Sequence, residues 1–158
     1  MDRVTRIHRS GRTSRVDLDA DSAWRVVAGA GAGAHWYADA LPFIFRGALD
    51  RVVGGEGLRW PVPDRAQLEV GDTAGFWRVT RLSAPKRTMR LEADVVAPGR
   101  VFLDASVHAG DDGSEVTTTV GFEPDGLVGQ LYMYVDLAAR ETVAELVHRR
   151  LLADLGAS

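Results

Sequence analysis

The stretch TMRLEADVVAPGRVFLDASVHAGDDGSEVTTTVGF, residues 88–122, decides the fold. Its apolar residues recur at every second position: Met89, Leu91, Ala93 and Val95, then Val101, Leu103, Ala105 and Val107, then Val116, Thr118, Val120 and Phe122. Between them stand Arg90, Glu92 and Asp94, then Phe102, Asp104, Ser106 and His108, then Glu115, Thr117 and Thr119. Side chains of a strand alternate between its two faces, so this pattern predicts three strands, each with one buried side. The links APGR at 97–100 and GDDGS at 110–114 are too short for a crossover helix and carry turn residues. Neighbouring strands must therefore run antiparallel. TAGFWRVTRL at 73–82, joined through SAPKR at 83–87, adds a strand in front and makes a four-stranded meander.

Outward from the meander the period changes. From Asp125 the chain predicts one long helix over 126–155, in which Leu131, Val135, Ala138, Val143, Leu146, Val147 and Leu151 form a broad apolar stripe. Such a stripe must pack on something, and the apolar face of the meander is the available partner. The expected architecture is α+β: a curved antiparallel sheet wrapped around a long C-terminal helix. Upstream, residues 1–18 read as a short strand or arm. In DLDADSAWRVVA, residues 17–28, Asp19 or Asp21 can cap a helix that carries Trp24, Val27 and Ala28 on one side. Leu41, Phe45, Ala48, Leu49 and Val52 predict a further amphipathic helix, ended by Gly54 and Gly55. The Pro-containing EGLRWPVPDRAQ, residues 56–67, is a connecting loop.

VVAGAGAGAHWYAD, residues 26–39, can be written G-x-G-x-x-A with Gly29, Gly31 and Ala34. A dinucleotide fingerprint needs a strand before the glycines and a parallel strand about 30 residues after them. The chain continues instead into a Gly-Gly pair, a Pro-rich loop and antiparallel hairpins, so no βαβ unit is completed. The run reads as a small-residue link that lets two helices approach.

The 158 residues, 46% of them hydrophobic, match one domain, 1–158, able to bury roughly 70% of its unfolded surface. A net charge of -3, with arginines scattered among carboxylates, gives no field for nucleic acid. No cysteine is present, which removes disulfides, thiolate metal sites and cysteine nucleophiles and suits a cytoplasmic setting. Asp17, Asp19 and Asp21 interrupt any secretory apolar segment, and no stretch approaches the ~20 apolar residues of a membrane-spanning helix.

Those three aspartates also have the spacing of a calcium loop, but Ser22 and Ala28 stand where glycine and glutamate are required. His8, His35, His108 and His148 form no ligand pair, so no metal or other cofactor is expected. His108 and His148 read as solvated. His35, beside Trp36, Tyr37 and Asp39 at the mouth of a helix, is where a general base could be tuned. The inward strand faces offer almost no titratable group. Large aromatics gather near the non-strand elements, among them Trp24, Phe43 and Tyr132, either as core or as the lining of a small-molecule cavity against the inward face at Leu103.

This order of elements resembles the START-like superfamily, which includes the birch-pollen-allergen type and polyketide cyclases. HWYAD at 35–39, RGALDRVVGGEGLR at 46–59, VGDTAGFWRV at 70–79, LEADVVAPGRVFLDASV at 91–107 and GFEPDGLVGQLYMY at 121–134 are similar to an uncharacterised bacterial family. Its members often follow an NmrA-like or epimerase-type short-chain dehydrogenase. The resemblance implies a hydrophobic pocket near Trp36, Tyr37, Asp39, Trp77, Arg78 and Tyr132. The expected function is binding of a small hydrophobic metabolite. The alternatives are a cofactor-independent cyclase or dehydratase, with His35, Tyr37 or Asp39 moving a proton, and a module docking on a separate short-chain dehydrogenase.

Overall fold

The computed structural model describes residues 7–39, 61–75, 77–93, 99–124 and 137–156. Their elements are β1 (His8–Val16), α1 (Ala20–Val27), α2 (Trp36–Asp39), β2 (Thr73–Ala74), β3 (Trp77–Ser83), β4 (Thr88–Ala93), β5 (Gly99–Ala109), β6 (Ser114–Pro124) and α3 (Leu137–Gly156). The six strands form one antiparallel sheet in the order β1-β6-β5-β4-β3-β2. The meander is thus as the alternation predicts, and the N-terminal arm is its edge strand, paired with β6 from His8 opposite Phe122 to Val16 opposite Ser114. The helix expected around Leu41–Val52, the end of the strand at Asp94 and Val95, and the expected helical residues 126–136 lie outside the described residues.

Met89, Leu91, Leu103, Ala105, Val107 and Val116 make the concave face, and all are buried. Over it lie α1, through Ala20, Ala23, Trp24 and Val27, and α3, through Val143, Ala144, Val147, Leu151 and Leu155. Each fully buried Leu or Val contributes about 1.5–3 kcal/mol, far more than an exposed ion pair, so this contact holds the fold together. Asp19 starts α1 by accepting from the Ser22 amide at 2.9 Å, the capping role expected of it.

The convex face departs from simple alternation at one place. Phe102 points outward among polar residues yet is only 3% exposed. Its ring lies across Gly121 on β6, beneath the guanidinium of Arg90 at 4.2 Å and that of Arg9 at 5.6 Å. Gly121 is needed because a Cβ there would overlap the ring. Gly121→Ala is expected to destabilise the protein by about 1–3 kcal/mol through overpacking, read from urea denaturation.

Candidate functional site

The glycine run is a backbone frame. After α1, the Ala30 and Gly31 amides donate to the Ala66 and Pro63 carbonyls at 3.1 and 2.8 Å, and the Leu68 amide donates to Ala28 O at 2.9 Å. Gly29 bridges Gln67 in antiparallel fashion. Gly31 sits at φ 90°, a conformation costly for any residue with a side chain. With the Gly29 amide held by Val26 O, these N–H groups are spent within the chain and none of them is left to cradle a phosphate.

The carbonyls of the same segment hold the HWY motif. Trp36 Nε1 donates to Val27 O at 3.0 Å, Tyr37 OH donates to Gly29 O at 2.7 Å, and His35 Nε2 lies 3.0 Å from Gly31 O. His35 and Tyr37 also stack, with centroids 5.5 Å apart. Trp77 Nε1 reaches from β3 to the Tyr37 carbonyl at 2.9 Å, pinning α2 to the sheet. Trp36 and Tyr37 have no exposed surface and Trp77 and Leu103 have 1%, so all four are in close contact with protein atoms. The Tyr37 hydroxyl and one His35 nitrogen, the sequence's candidates for proton transfer, are engaged by backbone carbonyls. Arg78 is exposed on β3. Asp39 ends α2 and nothing is described of its side chain; Phe43 and Tyr132 lie outside the described residues.

Trp24 differs from the other aromatics. It is 5% exposed, on the buried side of α1, and its Nε1 is buried with no hydrogen-bond partner among the described residues. A buried donor left unmatched costs about 1–3 kcal/mol. Among the described indoles of Trp24, Trp36 and Trp77, it is therefore the one whose polar edge remains available.

His148, expected to be solvated, is instead 4% exposed. Its Nδ1 lies 2.8 Å from Thr118 Oγ1 on β6 and its Nε2 lies 2.9 Å from Ser14 Oγ on β1. A signal for this exists in the sequence: 144, 148, 151 and 155 share the buried arc of α3, and Thr118 holds an inward position of its strand. Around this histidine runs a polar seam. Arg12 donates to Glu145 at 3.0 Å and Glu141 at 2.9 Å, Arg140 donates to the Ser10 hydroxyl at 2.9 Å, and that hydroxyl donates to Glu141. Burial pushes the His148 imidazole below its ordinary value, opposed by Glu145 and reinforced by Arg12.

A six-stranded antiparallel sheet closed on a C-terminal helix is the START-like, helix-grip fold. Within that class the chain belongs to the DUF2867 family, described as proteins of unknown function, whose model matches residues 8–146. Among curated proteins none matches. An uncharacterised protein from Rhizobium leguminosarum superposes with a TM-score of 0.58 at 13% identity, covering 97% of this chain and 97% of that one. A protein from Thermus thermophilus gives 0.53 at 12% identity, over 96% and 98% of the two chains. A looser match, 0.44 at 18% identity over 96% and 91%, is an aromatase/cyclase from Streptomyces sp. R1128. At these identities the likeness concerns the fold alone. No described helix is long and apolar enough to cross a membrane.

The seam makes stability depend on pH in two windows. A histidine whose native pKa is depressed stabilises the fold fully above its unfolded value near 6.5, and that stability is lost as pH falls through the lower native value. Glu141, held down by Ser10 and then Arg12, and Glu145, held down by Arg149 and then Arg12, stabilise above about 4.5, and their share is lost below that. Urea denaturation across pH is expected to show both declines, and His148→Asn to flatten the first while leaving the second in place.

Proposed function

We propose that this protein binds a small hydrophobic metabolite between the concave face of its sheet and α3, with one oxygen atom of the ligand accepting a hydrogen bond from Trp24 Nε1. The observation that carries the reading is the unmatched indole N–H, buried among otherwise apolar side chains of α1. Ligand pockets combine an apolar lining with a few placed polar groups, and a donor kept dry and unpaired is such a group. The residues that border such a ligand are Met89, Leu91 and Val107 from the sheet and Val147 and Leu151 from the helix, which belong to one buried apolar cluster. The frame of Trp36, Tyr37 and Trp77 holds α2 against the sheet, and with it the geometry of that interior.

The ligand is accordingly a mainly apolar molecule with a carbonyl, ether or hydroxyl oxygen at one end. Such compounds are expected to raise the melting temperature in a concentration-dependent way, because binding to the native state alone shifts the equilibrium. Trp24→Phe keeps an aromatic ring and removes the N–H, and is expected to weaken affinity about tenfold. A panel of such compounds that leaves the melting temperature unchanged overturns the reading. Binding that is unchanged in Trp24→Phe overturns the placement of the polar end.

A further inference from the structure

The convex face of the sheet carries a second feature, remote from Trp24 and independent of the function proposed above. β3 pairs with β4 in register up to Val79 opposite Leu91, then slips by one residue, so that Arg81 lies opposite Arg90. Without this bulge Thr80 would face Arg90, and Arg81 would share the inward side with Met89. Bulges re-aim side chains. This one turns Arg81 outward and sets two guanidinium-bearing residues directly across from each other. Like charges in that position are destabilising.

Only one of the two is neutralised. Arg90 forms a two-pronged pair with Asp104, Nε to Oδ1 at 2.6 Å and the terminal nitrogen to Oδ2 at 2.7 Å, and it rests on the Phe102 ring. Arg81 is exposed, and its side chain has no hydrogen bond or ion pair among the described residues. Beside both lies a hollow of about 280 Å³ that Arg81, Arg90 and Asp104 border. Thr88, Ser106, Thr117 and Thr119, together with Met89 and Ala105, line the rest of it. Thr117 is bonded to Thr13 across the sheet at 2.9 Å. Thr88, Ser106 and Thr119 have no such side-chain bond among the described residues.

We propose that this hollow is a binding site for the phosphate or carboxylate group of a small polar molecule, with Arg81 as its charge partner. Arg81 supplies the unbalanced positive charge and the fork of donors that suits an oxyanion. The hydroxyls of Thr88, Ser106 and Thr119 supply neutral donors around it. Asp104 keeps Arg90 in one orientation on its aromatic floor, so the wall of the site is already in place before a ligand arrives.

Titration of ¹⁵N-labelled protein with inorganic phosphate and, separately, with acetate tests this, following amide and arginine Nε–H resonances. Saturable shifts confined to residues around Arg81, Arg90 and Ser106 are expected, weakened about tenfold or more in Arg81→Gln and unaltered in Trp24→Phe. The stronger of the two anions identifies the group. Arg81→Gln is expected to melt at the same temperature as the wild type or higher, since it removes a like-charge opposition. Shifts that spread over arginines on both faces of the sheet, shifts that persist in Arg81→Gln, or no shift at all would overturn the proposal.

Discussion

A sheet that curves over one face leaves Met89, Leu91, Leu103, Val107 and Val116 without cover unless a long element crosses that face, and α3 supplies it with Val143, Ala144, Val147, Leu151 and Leu155. Burial of these side chains, at about 1.5–3 kcal/mol each, outweighs any ion pair on the surface. Everything else is arranged around that contact. α1 closes the interior beside α3, and the frame at residues 28–31 and 63–68 carries α2 to the place where Trp77 can hold it.

Apolar packing is strong but tolerant of sliding, and the polar seam answers that weakness. Arg12, Ser10 and Ser14 on β1 meet Glu141, Glu145 and His148 on α3 at fixed spacings, and a shift of the helix by one turn would bring Ala144 or Leu152 to the place of His148 and leave Ser14 unmatched. Hydrogen bonds add little net energy each, whereas leaving their buried members unmatched is costly. His148 sets the register most sharply, since it bridges β1 and β6 from the buried arc of the helix. Burial favours the neutral form of this histidine, which ties the grip of the helix to pH.

The two faces of the sheet then carry different chemistry. On the concave side most described polar tips are matched within the protein, and the Trp24 indole and the Ser114 hydroxyl are buried without a partner among the described residues. On the convex side charge and hydroxyl groups are plentiful, and a bulge turns the Arg81 guanidinium outward among them.

Period-two alternation over 88–122 and short polar turns determined the antiparallel meander, because strand faces and link lengths are local properties written into consecutive residues. The same local logic offered Asp19 or Asp21 as a helix cap and spoke against a nucleotide cradle at the glycines. Pairing of β1 with β6 joins residues about a hundred positions apart, which local spacing does not specify; the register had to come from the assembled sheet. His148 looks solvated in the sequence because a polar residue in an apolar stripe is legible only once Thr118 and Ser14 are known to face it. Phe102 looks exposed because the arginines that cover it come from other strands. Likewise, that the polar atoms of Trp36 and Tyr37 are tied to the backbone, that Trp24 is left over, and that Arg81 stands opposite Arg90 were decided by tertiary structure alone. Hydrogen-bond satisfaction and cross-strand register depend on which groups meet in space, and residue type by itself does not carry that information.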